Sequence, residues 1–142
     1  MKVSLTAAQQ NQLFGALQQM DAQDITVGEG DKIQIVRVPF KIGAHRLSVA
    51  KNINALRASL VAFEDGRSAL VKELWPQLEE GKTVTEHDDP ATFATYKAEL
   101  TKMLGVTQEF DLAPIPAAVV QSNDFPIAVL MALDEHGLIS VE

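Results

Sequence analysis

Between Pro39 and Pro76 the chain contains no proline, and its apolar residues fall at alternating three- and four-residue steps. Ile42, Val49, Ile53, Leu56, Leu60, Phe63, Leu70 and Leu74 carry this seam, and Arg46 and Arg67 interrupt it at equivalent positions. That spacing belongs to a helix with one narrow apolar stripe. It predicts a single long helix from Phe40 to Trp75, roughly 50 Å at a 1.5 Å rise per residue. Gly66 is the place for a bend. Such a helix constrains everything around it, because another element must cover its stripe.

The flanking segments supply partners. Asp89 predicts the N-cap of a second helix with Pro90 in its first position, where a missing N–H costs nothing. Phe93, Tyr96, Leu100, Met103 and Leu104 line one side of it, and Gly105 suits a left-handed C-terminal cap. Joined to the long helix by the acidic loop Gln77 to Asp89, it folds back as an antiparallel partner. Glu99 is then the expected partner of Arg67, a guanidinium costly to bury alone.

Upstream, Thr6 and Gln9 fit a capping box for a helix reaching Met20, with Leu13, Phe14, Leu17 and Met20 on one side. Ile25 to Val27, the turn Gly28-Glu29-Gly30-Asp31, and Lys32 to Val38 read as a β-hairpin closed by Pro39. Downstream, Val106, Gln108, Phe110 and Leu112 alternate as a strand. Asn123 or Asp124 is expected to cap a last helix through Glu135, followed by Gly137 and an apolar tail. The predicted fold class is α+β and helix-dominated, a long antiparallel helical hairpin with a small β-hairpin and short terminal helices. At this length, residues 1–142 are expected to form a single domain.

Composition narrows the function classes. Cysteine is absent, which removes disulfides, thiolate metal sites and a cysteine nucleophile together. A reducing compartment is expected. No apolar run is long enough for a signal peptide or a membrane span, so a soluble, intracellular protein with no membrane partner is expected. The net charge of −7 argues against general nucleic-acid binding. The charge is uneven: residues 32–63 hold six cations and no carboxylate, leaving the remainder with six basic and 19 acidic residues.

Motifs for chemistry are sparse. Gly81-Lys82-Thr83 resembles the end of a phosphate loop, but Pro76 stands where the first glycine belongs. Glu86-His87-Asp88-Asp89 concentrates metal-ligand types, yet adjacent loop residues rarely converge on one ion, and the aspartates suit helix capping. No Gly-x-Ser-x-Gly elbow is present. The expectation is a protein that is not an enzyme, with no catalytic residues, metal or cofactor.

Two readings of the basic segment remain open. Arg37, Lys41, His45 and Arg46 gather near the strand-to-helix junction and offer an anion-binding site for phosphates, with Phe40 or Tyr96 to stack on a base. Alternatively, these cations face the acidic remainder of the fold or of a neighbouring subunit.

Val-Pro-Phe-Lys-Ile-Gly (38–43), Leu-Ser-Val-Ala-Lys-Asn-Ile (47–53) and Glu-Asp-Gly-Arg-Ser-Ala-Leu-Val-Lys-Glu-Leu (64–74) follow a short helix and precede a strand-and-helix unit. This order resembles a widespread group of small, poorly characterised tailed-bacteriophage proteins with a long central helical hairpin. The resemblance implies a phage protein in the virion or host cytoplasm and offers no catalytic residues to carry over. The leading expectation is a non-enzymatic virion component or assembly accessory that self-associates or binds another phage protein. Ile53, Leu56 and Leu60 are the expected interface, as the part of the long seam that a short partner helix leaves uncovered. The rival is a phage anti-defence or host-takeover protein that sequesters an anionic nucleotide at the basic junction.

Overall fold

The computed structural model describes residues 1–141. The chain opens with strand β1 (Lys2–Thr6), which leads directly into helix α1 (Ala7–Gln19). Thr6 serves both: its side chain accepts from the Gln9 N–H, and Gln9 Oε1 accepts from the Thr6 N–H, completing the predicted capping box. Leu13, Leu17 and Met20 of the predicted stripe are fully buried, and Leu5 of β1 joins them.

A hairpin follows, built from β2 (Ala22–Val27) and β3 (Gln34–Pro39) in antiparallel register, with Ile25 opposite Val36 and Thr26 opposite Ile35. Gly28 makes its turn possible. Its φ is +95°, and a Cβ there would collide with the Lys32 carbonyl oxygen. Gly28→Ala is expected to open the turn at a cost of roughly 1–3 kcal/mol. Amide exchange at Ile25 and Val36, which face one another across the strands, should then accelerate about tenfold or more. Unchanged exchange would mean that the turn does not hold the strands.

The long helix α2 runs unbroken from His45 to Leu74, five residues shorter at its start than its periodicity predicts. Phe40 and Ile42 are both buried. Two residues apart on a helix they would point about 200° from one another, so one would face water. The core instead takes both from an irregular lead-in that ends at Gly43, with φ +55°. Asn123 holds this lead-in: its Oδ1 accepts from the Lys41 N–H at 2.7 Å, and its Nδ2 donates to the Lys41 carbonyl at 3.0 Å.

Helix α3 (Pro90–Gly105) begins as predicted, with Asp89 accepting from the Thr92 N–H. It lies antiparallel to α2, and the rungs descend in order. Trp75 meets Phe93, Arg67 meets Tyr96, and Gly66 faces Met103. The rungs continue past the helix: Ser59 bonds Gln108, and Asn52 bonds Ala113. Gly105 does not adopt the left-handed cap expected of it. The chain enters β4 (Thr107–Asp111) two residues later, and Val106 is already extended.

β4 pairs antiparallel with β1, Val3 opposite Phe110 and Leu5 opposite Gln108. The remainder comprises β5 (Ile115–Pro116), α4 (Ala117–Gln121), α5 (Ile127–Glu135) and β6 (Ile139–Ser140), with β5 and β6 parallel. The expected Asn123 or Asp124 cap on the last helix is not made. Pro126 occupies the cap position, and Asn123 is committed to Lys41. The core gathers α1, the start of α2, Phe110, Leu112, Ile115, Phe125 and the inner side of α5. The fold is α+β and helix-dominated, and among the described residues no helix is long and apolar enough to cross a membrane.

Candidate interaction surfaces

Packing is concentrated at one end of α2. Val49, Asn52 and Leu56 are its only buried residues, and α3 has none. Leu56 is completely enclosed, and Ile53 packs against the core. The expected interface of Ile53, Leu56 and Leu60 is therefore corrected. The α1 helix, together with the chain leaving α3, covers this stretch, and only Leu60 lies beyond the core, half-buried. A partner helix of the chain's own was expected to fall short, but a second helix reaches the stripe from the other end.

Five of the exposed large apolar side chains cluster on the β2–β3 hairpin. No strand residue in it is buried, and Ile33, Ile35 and Val36 are 56%, 74% and 39% exposed. Residues directly opposite one another share a face. One face therefore carries Gln23, Ile25, Val27, Gln34, Val36 and Val38 with no charge, and the other carries Asp24 beside Arg37 and Thr26 beside Ile35. Among the described residues the sheet has two strands, and both of its edges lack a neighbouring strand.

The basic junction does gather two of its four predicted residues, but around carboxylates. Arg37 lies 3.5 Å from Asp24 and 3.9 Å from Asp21. Arg46 pairs with Asp21 as well and donates to the Phe40 carbonyl at 3.2 Å. Lys41 is fixed through its backbone, and His45 starts α2. Arg37 and Arg46 therefore face the chain's own acids, which weakens their pull on an outside anion. Reading the hairpin only from Ile25 hid this pairing. Extending its alternation back to Ala22 places Asp24 opposite Arg37.

The distal end of the helical hairpin holds a separate aromatic cluster. Trp75, Phe93 and Tyr96 have ring centroids 5.6–6.3 Å apart in tilted arrangements, close enough that the rings pack on one another. An open groove of about 640 Å³ runs beside them, bordered by Arg67, Lys72, Glu79 and Lys82. Arg67 does not reach Glu99. It pairs with Glu64 one turn earlier and donates to the Tyr96 hydroxyl at 3.3 Å, while Glu99 takes Lys102 of its own helix. The acidic loop is likewise occupied: Glu86 pairs with Lys97, and Asp88 accepts from the Thr85 N–H.

Asp89 ties this cluster to the start of α3. The Trp75 Nε1–H, and then the Thr92 N–H, donate to its carboxylate and hold it below the usual carboxylate range. A carboxyl more acidic when folded stabilises the fold above its ordinary titration range, and that stability is lost as pH falls through the folded value. Trp75 is the only tryptophan, so its emission should shift on acidification below the ordinary carboxylate range. Asp89→Ala should abolish that step and loosen the first turn of α3 at neutral pH. A step that survives Asp89→Ala would belong to another group.

Comparison with known proteins gives no match to this chain among family models, curated proteins or solved structures.

Proposed function

We propose that this protein is a non-enzymatic interaction protein of a tailed bacteriophage, a virion component or assembly accessory that self-associates or binds another phage protein. The observation that carries this reading is the β2–β3 hairpin, which exposes five large aliphatic residues, Ile25, Val27, Ile33, Ile35 and Val36, by 38–74% each. Apolar side chains lose favourable free energy in water roughly in proportion to their exposed area. A folded chain that buries leucines completely while leaving this set outside has a surface suited to a protein partner. The basic junction supports the same class of function, since two of its guanidiniums serve as internal ion-pair partners. The phage part of the proposal rests on the resemblance carried by residues 38–43, 47–53 and 64–74, and with it goes a proposed location in the virion or host cytoplasm.

The test is sedimentation velocity of the purified chain across micromolar concentrations, together with affinity capture from phage-infected cells. Concentration-dependent association, or retention of a phage-encoded partner lost on Ile25→Lys/Val36→Lys, is the expected result. A monomer at every concentration that retains no phage protein would overturn the proposal.

A further inference from the structure

Resting on that reading, we infer that the β2–β3 hairpin joins copies of this chain edge to edge, the β2 edge of one copy pairing with the β3 edge of the next. An isolated two-stranded hairpin is marginal in water and gains independent stability from further strands or from packing on a core. This one buries none of its strand residues. Both edges are open, and an open edge presents a row of backbone donors and acceptors for another strand.

Charge decides which edges meet. β2 carries Asp24, with Asp21 just before it, and β3 carries Arg37 as its one charge, while Lys32 lies in the turn beside Asp31. Asp24 and Arg37 side chains are each 60% exposed despite their intrachain contact. A two-fold joint of β3 on β3 would bring Arg37 towards its own copy, and β2 on β2 would do the same for Asp24. Joining β2 to β3 sets opposite signs side by side and extends the intrachain Asp24–Arg37 pair into an alternating ladder. Strand direction agrees, because β2 and β3 run antiparallel and the order β2–β3–β2–β3 preserves the alternation. The same order keeps Ile25, Val27 and Val36 of every copy on one continuous face. A joint between unlike edges does not close on itself in a dimer, so it builds rings or filaments.

The experiment uses the full chain and two exposed substitutions, Asp24→Arg and Arg37→Asp, sized by light scattering at low salt. The wild type is expected to form species larger than a dimer. Each variant alone, with like charges on both edges, should associate roughly tenfold more weakly. An equimolar mixture should regain wild-type assembly, since each acidic edge now meets a basic one, although every chain in the mixture still lacks its internal pair. Circular dichroism checks that both variants stay folded. A mixture no better than its components, or a wild type that stops at dimers, overturns the joint. If the wild type assembles and both variants assemble undiminished, this joint fails while the interaction role stands. A wild type that is monomeric yet retains a phage protein through the hairpin gives the same division.

Discussion

Asn52→Ala is expected to destabilise the protein by about 3 kcal/mol, lowering its thermal midpoint by about 10 °C. Asn52 is 2% exposed, in the middle of a helix whose neighbouring buried positions are aliphatic. Its amide acts as a peptide group in miniature: Oδ1 accepts from the Ala113 N–H at 2.8 Å, and Nδ2 donates to the Ala113 carbonyl at 2.9 Å. Ala113 lies in the link between β4 and β5, flanked by the buried Leu112 and Ile115, so one side chain satisfies the backbone where the link crosses α2. Truncation leaves both part-buried Ala113 groups without their partner against the enclosed side of α2, and each such group costs about 1–3 kcal/mol. Asn123→Ala is the comparison. It removes a similar clamp on Lys41, but Asn123 lies at the partly exposed edge of the fold, where water replaces the lost bonds. A loss of about 1 kcal/mol is expected there. Urea denaturation of the two variants measures the difference, and equal losses would show that burial of the Asn52 clamp is not what matters.

The second large effect concerns Leu56. The leucine is completely buried in the core, on the part of α2 that packs against α1. Leu56→Ala removes three carbons from a packed interior and leaves a cavity, a change that costs about 2–5 kcal/mol. The same variant should retain the self-association proposed for the hairpin at temperatures well below its melting point. Ile35→Lys should do the reverse. Ile35 is 74% exposed, so its stability should stay within about 0.5 kcal/mol of wild type while association through the hairpin falls. Thermal melts paired with light scattering separate the roles. A Leu56→Ala protein of wild-type stability that fails to associate would restore the seam as the contact surface.

These outcomes bear on what can be read from residues in order. The helical hairpin was legible because its signals are local. The three- and four-residue recurrence of apolar positions from Val49 to Leu74, the Asp89-Pro90 start and the Thr6–Gln9 box each act within one or two helical turns. The β2–β3 turn was legible for the same reason, since Gly28 relieves a clash four residues away. Which surface remains uncovered was not. Leu56 and Leu60 share one stripe, yet only the first is enclosed. Ile35 alternates as well as any core strand residue and stays in water.

Residues 2–6 illustrate the same division. They carry an alternation too brief to stand apart from the run-up to α1, and they become a strand only because residues 107–111 arrive beside them. Asn52, a polar break in an apolar stripe, has no visible purpose until Ala113 lies against it. The order of residues alone determined where α1 and α3 begin, that one long rod runs on to Leu74 and where the hairpin must turn, because backbone geometry and capping act between near neighbours, whereas the core set the start of the rod at His45. Tertiary contact decided which part of the rod is covered, which acids meet Arg37 and Arg46, and that the hairpin is left outside. Burial and charge pairing are settled between segments that the chain brings together only when the whole core has closed.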